Sequence, residues 1–359
     1  MRGGAQGKLL FDSTIAEPSQ LLFASSLRAL NGGGERIRST FGWGSPLLID
    51  SIARRYGVPP EHILTTTGCT SALSHVYSAF LEPGTRVLIE RPYFDLLPRL
   101  AQIRGATVDF VDRDPDDGTL DPARLEAALY PDTRLVVLTN LHNPSGAFLD
   151  DAALRRIAAV VSRHGIPVVV DEVYGDFVPR SRRSGPAAKL DPCFISINSL
   201  TKVYGLHALK CGWIIAAEPA LGRIRRVYAE LESGSSKITH GIASLILDEL
   251  EPYEAYWQGM LAGNRPLVLE MAERLRGEGL IEGSVPEFGC MYFPRLTGIR
   301  DTRRFAAWAW QRSRLGIAPG GFFGAPGYIR IGYGQPRDEL AAGLEDLAAC
   351  LRQYPGDGA

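Results

Sequence analysis

Short apolar runs recur along the middle of this chain, each closed by glycine, proline or polar residues. Ile63 to Thr67, Arg86 to Glu90, Ala106 to Val111, Thr133 to Leu138, Ile166 to Val170, Cys193 to Asn198 and Ile214 to Ala217 are rich in Val, Ile and Leu. That length and composition predict strands. Ile166-Pro-Val-Val-Val170 has no polar face, so it predicts a strand covered on both sides. Segments of helical spacing lie between the runs. Asp150 to His164 sets Leu154, Ile157, Ala158 and Val161 on one face. Small residues after Gly68 open a helix through Val76, Ala79 and Phe80, and Asp121-Pro122 starts another that ends near Tyr130. Alternation of this kind over 63 to 217 predicts a mostly parallel, doubly wound α/β sheet.

The flanks read differently. Leu21 to Leu30 predicts a short helix, and Thr40 to Pro46 a loop. Pro46 starts a helix with Leu47, Leu48, Ile52 and Ala53 inward and Arg54 and Arg55 facing out. Arg223 to Leu250 is helical with a break at Ser233 to Ser236. Glu254 to Arg276 is a long helix with Trp257, Leu261 and Leu267 on its apolar side, kinked or divided at Pro266. Beyond it, Gly289 to Phe293 and Gly327 to Gly332 are short strands flanking a helix over Thr302 to Leu315. The expected organisation is an N-terminal arm (1–45), a large α/β domain (46–250) and a smaller α+β domain (251–359).

Composition narrows the function classes. With 359 residues, 45% hydrophobic and 22% charged, the chain has a large core to bury. A net charge of −1 offers no basic field for nucleic acid. No apolar run nears the ~20 residues of a membrane span, and the polar start Met1 to Lys8 lacks the apolar core of a signal peptide. The cysteines at 69, 193, 211, 290 and 350 are odd in number and lack metal-ligand spacing, which suits free thiols in a cytoplasm.

Candidate chemistry gathers where predicted strands end. Gly68-Cys69-Thr70 turns a strand into a helix, and the first N–H groups of a helix suit an anion. Tyr93 and Phe94 follow one strand, and Asn143-Pro-Ser-Gly146 makes a turn after another. Asp171 ends the wholly apolar strand, where open α/β sheets bind ligands, and Tyr174 follows. Glu172 between them reads as a structural ion-pair residue, and His142 as a polar loop residue near the site. Lys202 lies among small hydroxyl residues, Ser199 and Thr201, with a second cation at Lys210. A lysine amine in such a place can form a Schiff base with a carbonyl. Arg330 sits between apolar residues in a strand, so its charge needs an anionic partner, structural or substrate. Phe41, Trp43, Tyr292 and Phe322 suggest an aromatic-rich pocket, although each also suits core packing.

Ser199-x-Thr201-Lys202, then Gly205-Leu206-x-x-Leu209-Lys210-x-Gly212-Trp213, resembles the lysine motif of the fold-type I pyridoxal-phosphate (PLP) enzymes, specifically the class I/II aminotransferase family. Gly68-x-x-x-Ala72-Leu73, Pro92-x-Phe94, Asn143-Pro-Ser-Gly146 and Asp171-x-x-Tyr174 follow in the family's order. The resemblance spans about 41 to 334. It implies a fold-type I architecture, a large domain with a mostly parallel sheet plus a smaller one, and a homodimer with shared sites. It implies that PLP is carried on Lys202, with its phosphate held by Gly68, Cys69, Thr70, Ser199 and Lys210. Phe94 would stack on the ring, Asp171 would pair with the ring nitrogen, and Asn143 and Tyr174 would meet the phenolic oxygen. Arg330, with Asn143 beside it, would hold the substrate α-carboxylate. The family usually has arginine at 210; lysine offers a point charge instead of a planar fork. The implied activity moves an amino group between an L-amino acid and a 2-oxo acid. Three alternatives stay open: a PLP lyase, decarboxylase or cyclase; a non-catalytic cofactor-binding or regulatory protein; and, more remotely, a nicotinamide enzyme, which lacks its glycine fingerprint here.

Overall fold

In the computed structural model of the protein, residues 7–18, 24–28, 43–232 and 234–356 are described. The seven apolar runs form one sheet: β1 (Ile63–Thr66), β2 (Arg86–Arg91), β3 (Thr107–Asp112), β4 (Thr133–Thr139), β5 (Val168–Asp171), β6 (Phe194–Ser199) and β7 (Gly212–Ala216). Their spatial order is β1-β7-β6-β5-β4-β2-β3. The sheet is mostly parallel; β7 alone runs against its neighbours β1 and β6. The central strands β4, β5 and β6 are buried along nearly their whole length, as a sheet covered on both faces requires.

Two apolar layers cover the sheet. On one face α2 (Cys69–Phe80) and α4 (Ala220–Leu231) pack Leu73, Val76, Tyr77 and Ile224 against Val137, Ile195 and Ile214. On the other, α3 (Asp151–Val161) buries Leu154, Ile157, Ala158 and Val161 against Leu138 and Val170, as its spacing predicts. Asp150 caps α3 by accepting the Ala153 N–H.

α1 (Pro46–Tyr56) begins at Pro46 and ends at Gly57 in the left-handed conformation. One expectation fails here. Arg54 faces solvent, but the Arg55 side chain is only 10% exposed and lies 3.3 Å from Asp176 and 3.1 Å from Glu254. Tertiary partners draw it inward against the helical pattern. α5 (Lys237–Asp248) follows α4 across the expected break. α6 (Glu251–Gly277) carries Pro266 without dividing. Tyr253, Val268, Met271 and Leu275 form its buried side, with Trp257, Leu261 and Leu267 half-buried beside them.

The C-terminal part holds α7 (Thr302–Ser313), α8 (Arg337–Gln353) and a small sheet of β8 (Met291–Tyr292), β9 (Ala318–Pro319) and β10 (Ile329–Gly332), with β10 in the middle. An extended N-terminal segment joins this region to the large sheet. Lys8–Leu9 pairs in parallel with Leu315–Gly316. The Gly332 N–H bonds Leu10 O at 2.7 Å, and the Ile15 N–H bonds Lys202 O at 3.1 Å. A Cβ on Gly332 would meet Asp12 O at 1.6 Å, so only glycine admits the strand there. Phe41 and the Gly32–Gly34 run lie outside the described residues, as do both ends of the helix expected over 21–30; its stretch 24–28 is helical. Among the described residues, no helix is long and apolar enough to cross a membrane.

Candidate active site

The carboxyl ends of β1, β4, β5 and β6 open into one cavity of about 290 Å³. Gly68, Cys69 and Thr70 line it at the start of α2, where backbone N–H groups lack helical partners. Ser199 at the end of β6, and Lys202 and Lys210 from the loop after it, also line the cavity. Phe94, Asn143, Asp171, Tyr174 and Arg330 complete the set named from sequence. Glycine is needed beneath the turn: a Cβ on Gly212 would meet Gly68 C at 2.6 Å and Cys69 N at 2.9 Å. Lys210 turns back through a left-handed φ of 49°.

Two adjacent aromatics follow β2, and the structure separates them. Phe94 lines the cavity. Tyr93 instead stacks on Phe110 with ring centroids 5.0 Å apart. Tyr292 is fully buried with its hydroxyl donating to Gly283 O, while Trp43 and Phe322 are 40% and 50% exposed. None of these three lines the cavity, so the aromatic pocket suggested by sequence is not formed by them.

Asp171 is buried; its Oδ1 accepts the Val173 N–H at 3.1 Å and faces Cys69 Sγ at 3.7 Å. Burial pushes its carboxyl up to about 6, against the pull of those two donors and of Lys202. Burial, and then Asp171, raises the Cys69 thiol well above its usual range, which keeps it protonated. Tyr174 Oη lies 2.7 Å from Ser13 Oγ. Lys202 Nζ donates to Thr14 Oγ1 at 3.2 Å.

Arg330 donates from Nη1 to Asn143 Oδ1 and from Nη2 to Phe11 O, both at 2.8 Å. Its guanidinium carbon lies 4.9 Å from the Phe323 ring centre. Its buried Nε has no hydrogen-bond partner. Among the described residues no carboxylate lies within bridging distance of it, so of its two possible anionic partners the structural one is not found. Because Arg330 occupies Asn143 Oδ1, the amide N–H₂ of Asn143 is left as a donor.

Residues that the sequence did not single out support the site. Thr67, Thr139 and His207 line the cavity. Burial and the nearby Lys202 hold His207 below its ordinary range. Glu90 Oε1 accepts both the N–H and hydroxyl of Thr139, whose oxygen accepts the Asn143 N–H at 3.0 Å. Glu232 accepts the Thr67 N–H at 2.9 Å and lies 2.6 Å from His75 Nε2, tying α4 to the turn before α2. Burial opposes its ionisation, but hydrogen bonds from His75, Ser71 and Thr67 prevail and bring it down to about 2. His142 is buried beside the cavity, bonding Ser145 Oγ at 2.6 Å and Pro92 O at 2.8 Å. Burial and Arg113 hold it well below the usual range, hence neutral. Glu172 forms no ion pair within bridging distance among the described residues; its Oε1 accepts the Ala187 N–H, and Arg183 acts on it only from farther off. The expected pairing is corrected to that extent.

A flat cation-bearing ring with an anionic arm fits this donor set. A buried carboxylate without a cation in bridging range, open helix N–H groups, and an amine between them are present together. The chain matches the model of the family "Aminotransferase class I and II" over residues 6–347, and it belongs to that family of PLP-dependent enzymes. It is 30% identical over 308 residues to a capreomycidine synthase of Streptomyces vinaceus, covering 85% of this chain and 78% of that protein. To an aspartate/prephenate aminotransferase of Thermus thermophilus it is 24% identical over 323 residues, covering 86% and 82%. A Thermus thermophilus aspartate aminotransferase mutant superposes with a TM-score of 0.85 at 21% identity over 98% of this chain and 100% of that one, which shows the fold-type I architecture. A structure of the PLP-dependent cyclase OrfR superposes at 0.84 with 24% identity, over 98% and 94%.

Proposed function

We propose that the protein is a PLP-dependent aminotransferase that moves an amino group between an L-amino acid and a 2-oxo acid. The observation that carries this reading is the convergence of Lys202, Asp171, Asn143 and Arg330 on one cavity. When bound, PLP supplies an electron sink for negative charge formed at the amino acid's α-carbon. Gly68, Cys69, Thr70, Ser199 and Lys210 would hold its phosphate, and Phe94 would cover the ring. Asp171 would keep the ring-nitrogen proton; its own reluctance to ionise when unpaired makes that cation a favourable partner. Asn143 and Tyr174 would donate to the phenolic oxygen. Arg330 would take the α-carboxylate on its charged fork. The Lys202 amine, once displaced by the substrate amine, would remove the α-proton as general base and give it back as general acid at the cofactor carbon beyond the nitrogen. The domain division at 46–250 and 251–359, a homodimer and a cytoplasmic location belong to the same proposal.

A second reading has a specific observation behind it. The relative at 30% identity is named a synthase, and one structural neighbour is named a cyclase. On that reading the same residues would activate the amino acid, and its α-nitrogen would stay on its own carbon skeleton. An amino acid panel labelled with ¹⁵N at the α-amino group separates the two. Transfer of the label to PLP, and then to an added 2-oxo acid, is the expected result. Turnover that retains the label on the original skeleton would overturn transamination and favour the second reading.

A further inference from the structure

We propose that Thr14 is the positioning residue for the Lys202 amine: its hydroxyl holds Nζ in reach of the cofactor's aldehyde carbon whenever that amine is not covalently engaged. The inference rests on the PLP reading of the cavity. Thr14 Oγ1 lies 3.2 Å from Lys202 Nζ and is the only side-chain hydrogen-bond partner of that amine among the described residues. Thr14 is 5% exposed, so the hydroxyl is not competing with bulk water.

The backbone around Thr14 is fixed on every side. Its N–H bonds Asp12 Oδ1 at 3.0 Å. The Ile15 N–H bonds the carbonyl of Lys202 itself at 3.1 Å, and the Ala16 N–H bonds Gly334 O at 2.6 Å. Cys290 Sγ lies 3.1 Å from Ser13 O. A Cβ on Gly334 would meet Thr14 O at 2.3 Å, so the segment lies flat on that glycine. The lysine backbone and its side-chain nitrogen are thus both tied to neighbouring residues of one rigid segment. A lysine side chain loses up to about 2 kcal/mol of rotamer freedom when ordered. A fixed acceptor removes part of that loss before the bond-forming step.

The step concerned is capture of PLP. The lone pair of the neutral Nζ would add to the aldehyde carbon, the C=O bond would give way to C=N, and the two amine protons would leave with the oxygen as water. Apoenzyme is mixed with PLP in a stopped-flow instrument, and covalent capture is followed by absorbance and verified by borohydride trapping on Lys202. Pyridoxamine 5′-phosphate, which cannot be captured, reports cofactor affinity without the covalent step. Thr14→Val keeps the shape and deletes the hydroxyl; Thr14→Ser keeps the hydroxyl.

Thr14→Val is expected to slow capture by about tenfold, the rate equivalent of one lost orienting bond. Its affinity for pyridoxamine 5′-phosphate should stay within about twofold of wild type. Thr14→Ser should restore most of the rate. Capture by Thr14→Val at the wild-type rate would overturn the proposal. So would equal losses in capture and pyridoxamine 5′-phosphate affinity, which indicate a purely structural role. Failure of the wild-type apoenzyme to bind either molecule would instead overturn the PLP reading. If Thr14→Val does not yield folded protein, Thr14→Ala carries the same readouts.

Discussion

The pair Glu90 and Arg113 tests whether a buried charge near the cavity is held by its partner or by its own solvation. Glu90 and Arg113 side chains are 0% and 1% exposed, with 2.7 Å between their charged atoms. Arg113 further bonds Gly118 O and Thr139 O, and Glu90 bonds the Thr139 N–H and hydroxyl. Burial raises the Glu90 carboxyl, and Arg113 and Thr139 do not fully reverse it. The attraction therefore does not repay the desolvation, and the pair adds little net stability. Breaking it is another matter. Glu90→Gln keeps the shape but strands the arginine, with an expected loss of about 3–5 kcal/mol. Arg113→Met strands the carboxylate, which can escape by taking a proton. That loss should shrink by about 1.4 kcal/mol per unit as pH falls through the range where the variant's Glu90 is protonated and the wild type's is not, and should level off below the wild type's own raised value. The double variant leaves no stranded charge and should cost less than Glu90→Gln alone, a coupling of at least about 2 kcal/mol. Urea denaturation of the cofactor-free protein, at one protein concentration, with fluorescence and circular dichroism superimposing, measures all four species. Single losses that simply add, within about 0.5 kcal/mol, would refute the argument.

Other consequences follow from particular side chains. Burial lifts Glu172 from 4.5 to about 7, with Arg183 pulling the other way. Its folded-state value is raised, so the native state binds the proton more tightly, and stability is lost as pH rises from about 4.5 to about 7 by roughly 3 kcal/mol. Glu172→Gln should therefore gain stability relative to wild type across that window; a difference independent of pH would count against the assignment. Arg330→Lys keeps charge but loses the fork that reaches both Asn143 and Phe11, and kcat/KM for the amino donor should fall by about 10–100-fold. An unchanged kcat/KM would remove Arg330 from substrate binding. Lys210→Arg should slow loss of PLP during dialysis by adding a second donor to the phosphate; equal retention would mean that position 210 faces the phosphate only as a distant charge.

Much of the sheet and most of the site were legible because each carries a local signature. A strand such as Val168–Asp171 is apolar on both faces, and its end is marked by the first polar residue. Asp171 and Tyr174, or Asn143 and Gly146, are fixed by neighbours three positions apart. The contacts that support them are not local. Thr14 and Lys202 are 188 positions apart, and Ser13 and Tyr174 are 161 apart. Nothing in the residues 7–18 marks them as supports of the site residues, since an extended segment pinned largely by backbone bonds carries little local pattern. Arg55 shows the same limit in reverse. Helical periodicity places it outside, and its distant partners Asp176, Glu254 and the Tyr204 hydroxyl explain why it lies inside.

That contrast separates two kinds of charged group: buried or nearly buried pairs, and cavity residues of which Asp171 is buried and Lys202 and Arg330 are half-buried. Asp176 takes Arg55 and two tyrosine hydroxyls; Glu90 takes Arg113 and Thr139. Each is matched within the chain, and each holds elements together. Asp171, Lys202 and Arg330 are not matched in this way. Among the described residues none has an opposite charge within 4.0 Å, although all three line the same cavity. On the proposed function a ligand would bring the missing partners: a protonated ring nitrogen for Asp171, an electrophilic carbonyl carbon for Lys202, and a carboxylate for Arg330. The three positions together support that reading of the ligand from their placement in one cavity, without appeal to a sequence motif.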